Sequence, residues 1–92
     1  MIRSFRHKGL ESLYERGDRR RLPPALADKL ERILARLDVA TAADDMNLPG
    51  YRLHRLRGNL AGFWAVMASA NWRVVFRLED GNALDVDLVD YH

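Results

Sequence analysis

The chain contains no cysteine. That excludes a disulfide framework and a thiolate metal site, and it fits a reducing compartment. No run of about 18 apolar residues occurs, so no membrane-spanning helix is expected. The opening stretch MIRSFRHKGL lacks the apolar core of about 7–15 residues that a signal peptide needs. These absences together predict a cytoplasmic protein with no membrane partner. Glycine-rich phosphate loops and the HExxH pattern are also missing. The three histidines, His7, His54 and His92, do not have ligand spacing. No cofactor and no metal are therefore expected, and any chemistry falls to Arg, His, Asp and Tyr side chains. There are no repeats, low-complexity tracts or linkers. At 92 residues the chain reads as a single domain, 1–92, with one core.

What is present is an ordinary folded composition with an uneven charge. Of the residues, 48% are hydrophobic and 30% charged, which suits a globular domain. The net charge of +2 hides its distribution. Residues 1–73 hold 14 Lys/Arg against 8 Asp/Glu, whereas residues 74–92 hold one Arg against five acids. A basic body attracts polyanions. The plain alternative is that these charges only solvate the surface.

Ile2 and Phe5 in IRSF suggest a brief edge strand. In RHKGLESLYERG, Leu10, Leu13 and Tyr14 lie at helical spacing and Gly17 supplies the stop. PPALADKLERILARLDVA is the strongest helix, with prolines at its entry and Leu26, Leu30, Ile33, Leu34 and Leu37 in one stripe. Lys29, Arg32 and Arg36 fall largely off that stripe. TAADDMNLPG predicts a single turn, with Thr41 and Asp44 at capping-box spacing and Pro49-Gly50 ending it.

From residue 51 the period changes to two. YRLHRLRG, GFWAVMAS, NWRVVFRLE and ALDVDLVDY read as four strands. Trp72, Val74, Phe76 and Leu78 alternate with Arg73, Val75, Arg77 and Glu79. Leu84, Val86 and Leu88 alternate with Asp85 and Asp87. The turn signals SAN and EDGN predict antiparallel hairpins. A short strand, helices and then a meander predict an α+β fold, with the N-terminal helices packed on one face of a mainly antiparallel sheet.

On this reading Arg52 and His54 share one face of the first meander strand, and Arg55 and Arg57 the other. The Trp72–Leu78 stripe faces the helices, so Arg73 and Arg77 point to the open face. Asp90, Tyr91 and His92 follow at the end of the last strand. Arginines, an imidazole and an aromatic ring on one sheet face suit a nucleic-acid strand. His54, Arg55 and Arg77 are RNA-contact candidates. The same groups can cleave RNA, because a 2′-hydroxyl needs a base, a 5′-oxygen needs an acid and the phosphate needs positive charge. Asp90 and the terminal carboxylate would favour protonated His92. The structural alternatives are that Trp64 and Trp72 are core residues, and that Arg73 and Arg77 pair with Glu79 or Asp85. The residues alone reach a small basic α+β domain that binds RNA or anions. They do not reach an enzyme.

Three stretches carry a resemblance. MIRSFRHKGL resembles the start of HigB-type toxins of type II toxin–antitoxin systems, within the RelE/ParE superfamily. YRLHRLRGNLAGFWAV resembles their L-H-x-L-K-G-D/N stretch and the Gly-aromatic segment after it. NWRVVFRLEDGNALDVDLVDYH resembles the N/Q-W-R-I-x-F…DG…V…DYH ending. The resemblance covers essentially the whole chain. It implies a RelE-like, microbial-RNase-like fold and a ribosome-dependent endoribonuclease that cuts messenger RNA during translation. It also implies neutralisation by a helix-turn-helix (HigA-type) antitoxin, with operator DNA bound only through that antitoxin. By position, the resemblance puts Arg73 and Arg57 on the scissile phosphate and makes His92 the proton donor to the leaving group. Tyr91 would orient the nucleotide, Asp90 would orient His92 or act as base, and His54 would serve as base or RNA contact. The end of the last strand would thus deliver the reacting groups to the edge of the site.

The chain departs from the pattern once. Similar proteins often carry an arginine in the strand after the Gly-aromatic segment. Here WAVMASANWR has Met67 and Ser69, with no arginine between Trp64 and Arg73. That departure leaves the activity of this sequence open. A ParE-like inhibitor of DNA gyrase, acting without catalysis, is the alternative, as is an attenuated co-repressor partner.

Overall fold

A computed structural model describes residues 1–91; the His92 assignment lies outside the described residues. Two helices, α1 (Lys8–Arg16) and α2 (Ala27–Val39), cover one face of a four-stranded sheet. The α2 stripe of Leu30, Ile33, Leu34 and Leu37 is fully buried, as its 3.6-residue period requires. Pro24 opens the 3-10 turn Pro24–Leu26 that leads into α2. Gly17 ends α1 in the left-handed region at φ 68°, and its N–H bonds the Leu13 carbonyl. At the other end the Leu10 amide donates to His7 Nδ1 at 3.2 Å.

The strands are β1 (His54–Arg55), β2 (Trp64–Met67), β3 (Trp72–Glu79) and β4 (Asn82–Asp90), antiparallel and in chain order. The Trp72, Val74, Phe76 and Leu78 stripe faces the helices, with Val74 and Phe76 fully buried. Trp64 and Trp72 pack against this main core, half-buried. The expected N-terminal edge strand is reduced to two parallel bridges, Ile2 to Ala83 and Phe5 to Val86.

Three local expectations are corrected. The first meander strand is only His54–Arg55, because Arg52 turns the chain at φ 49° and Gly58 at φ 68°. The simple alternation of β4 breaks at Asp85, which has φ 54° and lies where the register shifts opposite Val75–Arg77. The bulge places Ala83 on the core side before it and Val86 and Leu88 after it, so Leu84 pairs with Arg77 on the open face. The 3-10 turn Ala43–Met46 is closed by Asp45 rather than Asp44. Its Oδ2 accepts from the Thr41 and Ala42 amides at 3.0 and 3.2 Å.

Asp38 joins three elements. Its Oδ1 accepts from the Tyr14 hydroxyl at 2.6 Å and from the Ile2 amide at 3.0 Å. The Tyr14 hydroxyl is the main cause that holds this carboxyl below its usual range. Hydrogen bonds to a charged acceptor are worth about 1.5–3 kcal/mol, so Asp38→Ala should destabilise the fold by about that much in urea unfolding. The depressed folded-state pKa sets the sign of the pH effect. The stabilisation is fully present above the ordinary carboxylate range and is lost as pH falls through the folded value. Asp38→Ala should flatten that part of the acid limb.

Candidate functional site

The register assembles the open face in three cross-strand rows. Met67 pairs with Arg73, and Arg73 with Val89. His54 pairs with Ala65, Ala65 with Val75, and Val75 with Asp87. In the third row the Leu56 amide bonds the Phe63 carbonyl, and Arg77 pairs with Leu84. Phe63, Ala65 and Val75 form a second small core here, covered by Leu56, Leu60 and Val89. The open face is therefore apolar along its middle and polar at its ends.

Arg73 stands at one end. Its Nη1 donates to the Ser69 carbonyl at 2.8 Å, with longer contacts to Trp72 and Ala70 at 3.2 and 3.3 Å. The guanidinium carbon lies 5.3 Å from the centre of the Tyr91 ring. The Tyr91 amide donates to the Asn71 carbonyl. The β2–β3 turn thus fixes both members of the pair. A guanidinium has five N–H donors in a planar fork, and Nε and Nη2 of Arg73 hold no described partner. Among the described residues no carboxylate forms an ion pair with Arg73. Toward the described residues this is a preorganised cation with its bidentate edge unspent, which suits a phosphate.

Arg77 behaves differently. Its Nε donates to Asp85 Oδ2 at 3.0 Å and its Nη1 to Glu79. The pairing reading holds for Arg77 and not for Arg73. Arg55 pairs with Trp64 and lies 5.2 Å over its ring, toward the helix side of the sheet edge. Arg57 is exposed in a cleft with Arg55, Leu56, Gly58, Ala61 and Gly62. It lies beyond the Phe63 end of β2, about 15 Å from Arg73 along the strand direction at roughly 3.3 Å per residue. The backbones of Arg57 and Arg73 thus stand toward opposite ends of β2.

His54 is exposed on the open face, and its Nδ1 lies 3.0 Å from the Arg52 carbonyl oxygen. A donating Nδ1–H leaves Nε2 as the acceptor, the tautomer that a general base needs. Asp90 pairs with Trp72, so its side chain leaves the strand on the side opposite Val89 and Tyr91.

One residue escaped the sequence reading. Arg6 follows Phe5 in the segment laid beside β4, and its guanidinium lies 4.9 Å over the Phe63 ring. The signal was the alternation of Phe5 and Arg6, but only the Phe5–Val86 bridge fixes which sheet edge that segment follows.

Met67 lies half-buried on the open face, directly opposite Arg73, and not under the helices. A guanidinium there would face the same solvent-accessible region. Met67→Arg should therefore raise the rate of RNA cleavage about 10–150-fold if the new contact forms only in the transition state. Like charges directly opposite across strands cost about 0.2–1 kcal/mol, so only a small loss in thermal stability is expected. Single-turnover cleavage and thermal unfolding of both proteins check this.

Residues 3–92 match the family model described as a RelE-like toxin of the type II toxin–antitoxin system HigB. The chain is 38% identical over 92 residues to Endoribonuclease HigB of Proteus vulgaris, covering 100% of both chains. It is 38% identical over 90 residues to Toxin HigB-1 of Vibrio cholerae, covering 96% of this chain and 95% of that one. Among solved structures, the YoeB–YefM complex from Staphylococcus aureus aligns with a TM-score of 0.58 at 15% identity, over 100% of this chain and 98% of that chain. A variant of YafQ from E. coli aligns with a TM-score of 0.60 at 15% identity, over 98% and 93% of the two chains. Likeness at this level of identity establishes the fold alone.

Proposed function

The chain belongs to the HigB-like family of RelE-like toxins of type II toxin–antitoxin systems, and from that premise we propose that it cuts messenger RNA in the ribosomal A site during translation. It is an endoribonuclease toxin, as the full-length relative from Proteus vulgaris is named. The observation that carries the site assignment is Arg73, held by the turn carbonyls and beside Tyr91, with no partner for its Nε–Nη2 edge among the described residues.

In the proposed reaction Arg73 binds the non-bridging oxygens of the scissile phosphate. His54 takes the proton of the 2′-hydroxyl, and the 2′-oxygen attacks phosphorus. The bond to the 5′-oxygen breaks, and His92 returns a proton to that oxygen. The products are a 2′,3′-cyclic phosphate and a free 5′-hydroxyl. Tyr91 orients the nucleotide, and Asp90 supports His92 through charge. Arg57, Arg55 and Arg77 belong to the flanking RNA path. The cut needs no metal and no cofactor in this scheme. A helix-turn-helix antitoxin of HigA type neutralises the protein and carries the pair to operator DNA. The site of action is the cytoplasm. No described helix is long and apolar enough to cross a membrane.

Overexpression distinguishes this reading from an inhibitor on the same fold. Growth should stop with loss of translated messages. Arrest with intact messages and trapped gyrase–DNA complexes would establish the inhibitor instead.

A further inference from the structure

The open face carries a second cationic pole, built differently from the first. Phe63 is almost fully buried, and two guanidinium groups lie over its ring: Arg6 at 4.9 Å and Arg77 at 5.9 Å. The two arginines do different jobs. Asp85 and Glu79 hold Arg77 in place and offset its charge. Arg6 is exposed, and its side chain has no hydrogen bond or ion pair among the described residues. A guanidinium held over a ring by cation–π attraction keeps N–H donors for an acceptor beside it. The backbone beneath is fixed, because the Arg6 amide donates to the Val86 carbonyl at 2.8 Å.

The position of this pole suits a chain of phosphates. Arg73 and Arg77 lie on the same face of β3, four residues apart, or about 13 Å at roughly 3.3 Å per residue. That distance equals about four stacked nucleotides at roughly 3.4 Å each, and fewer when the strand is extended. Between the poles runs the apolar row of Ala65 and Val75, with His54 at one edge and Asp87 at the other. A single strand held at Arg73 and lying along β3 would bring a second phosphate to the free edge of Arg6.

We propose that Arg6, seated over Phe63 beside Arg77, is a second phosphate-binding subsite that holds the RNA backbone a few nucleotides from the bond that is cut. The proposal rests on the nuclease reading and adds the path of the substrate to it. Arg6 is a binding residue that never meets the reacting atoms. It should act on affinity and leave the chemical step alone.

The test uses the full chain, ribosomes programmed with one message, and a set of messages truncated one nucleotide at a time on either side of the cut. Arg6→Ala should weaken half-saturation on long messages about tenfold while leaving the saturated single-turnover rate unchanged. The loss should vanish once a message is too short to reach the second pole. The slope of log affinity against log salt should fall by about one on long messages only. Arg6→Lys should restore the salt slope and part of the affinity. Thermal unfolding of each variant checks the fold. Equal affinity of Arg6→Ala and the unmodified protein on every message would overturn the subsite. So would a loss that is the same on long and short messages, or one seen in the saturated rate. If the unmodified protein cuts no message at all, the nuclease reading fails, an outcome distinct from these.

Discussion

Arg73→Ala should lower the single-turnover rate of message cleavage by about 10²–10³-fold, the usual cost of removing one preorganised donor from a developing anion. The geometry explains the size. Nη1 is anchored on the turn carbonyls of Ser69, Ala70 and Trp72, and Tyr91 covers one face. The edge without a described partner is thus oriented before substrate arrives, which keeps reorganisation during the reaction small. Arg73→Lys keeps the charge and loses the planar fork. It should recover only a small part of the rate. Alanine at position 73 also releases the turn, so thermal unfolding must accompany the kinetics. A lysine variant as stable as the parent and equally fast would remove Arg73 from the phosphate.

His92→Gln should lower the saturated rate by about 10²–10⁴-fold, the range for loss of general acid–base catalysis. An imidazole with an ordinary pKa near about 6.5 can donate a proton at neutral pH, and glutamine cannot. The two substitutions separate by substrate. With a 5′-thio leaving group, which needs no proton, His92→Gln should approach the parent rate, whereas Arg73→Ala should stay slow. Full activity of His92→Gln on the natural message would assign the acid elsewhere.

The layering of this fold is legible from periodicity. The α2 stripe and the Trp72–Leu78 alternation each present one apolar face, and each face can be buried only against the other. The break in β4 that turns Leu84 to the open face while Val86 and Leu88 face the core is not legible, because Asp85 reaches φ 54° without a glycine to announce it. The length of β1 is obscured for a similar reason. Arg52 at φ 49° and the loop at Gly58 interrupt a sequence that alternates well enough to extend further. At the site, Arg73 was legible because strand alternation fixes its face. Its clamp by carbonyls of the SAN turn was not, since backbone acceptors leave no trace in residue identity. Arg57 shows the converse. Its type and neighbours suggest a phosphate ligand, yet the register places it at the opposite end of β2 from Arg73. Arg6 needed the tertiary bridge beside β4 before its face was defined.

On the proposed function, the ribosome completes this active site. Among the described residues the open face carries only two guanidinium groups without an ion pair, Arg73 and Arg6, at opposite ends of an apolar row, which gives little means to hold a free strand in line. Orientation alone can be worth about 7–11 kcal/mol in favourable cases, and a programmed ribosome would supply it. Primer extension on one message, incubated with purified protein alone and then during translation, measures this directly. Sharp stops within A-site codons are expected in the translated sample, and an uncut message in the other. Equally efficient cleavage of the free message, at positions unrelated to the reading frame, would contradict that role of the ribosome.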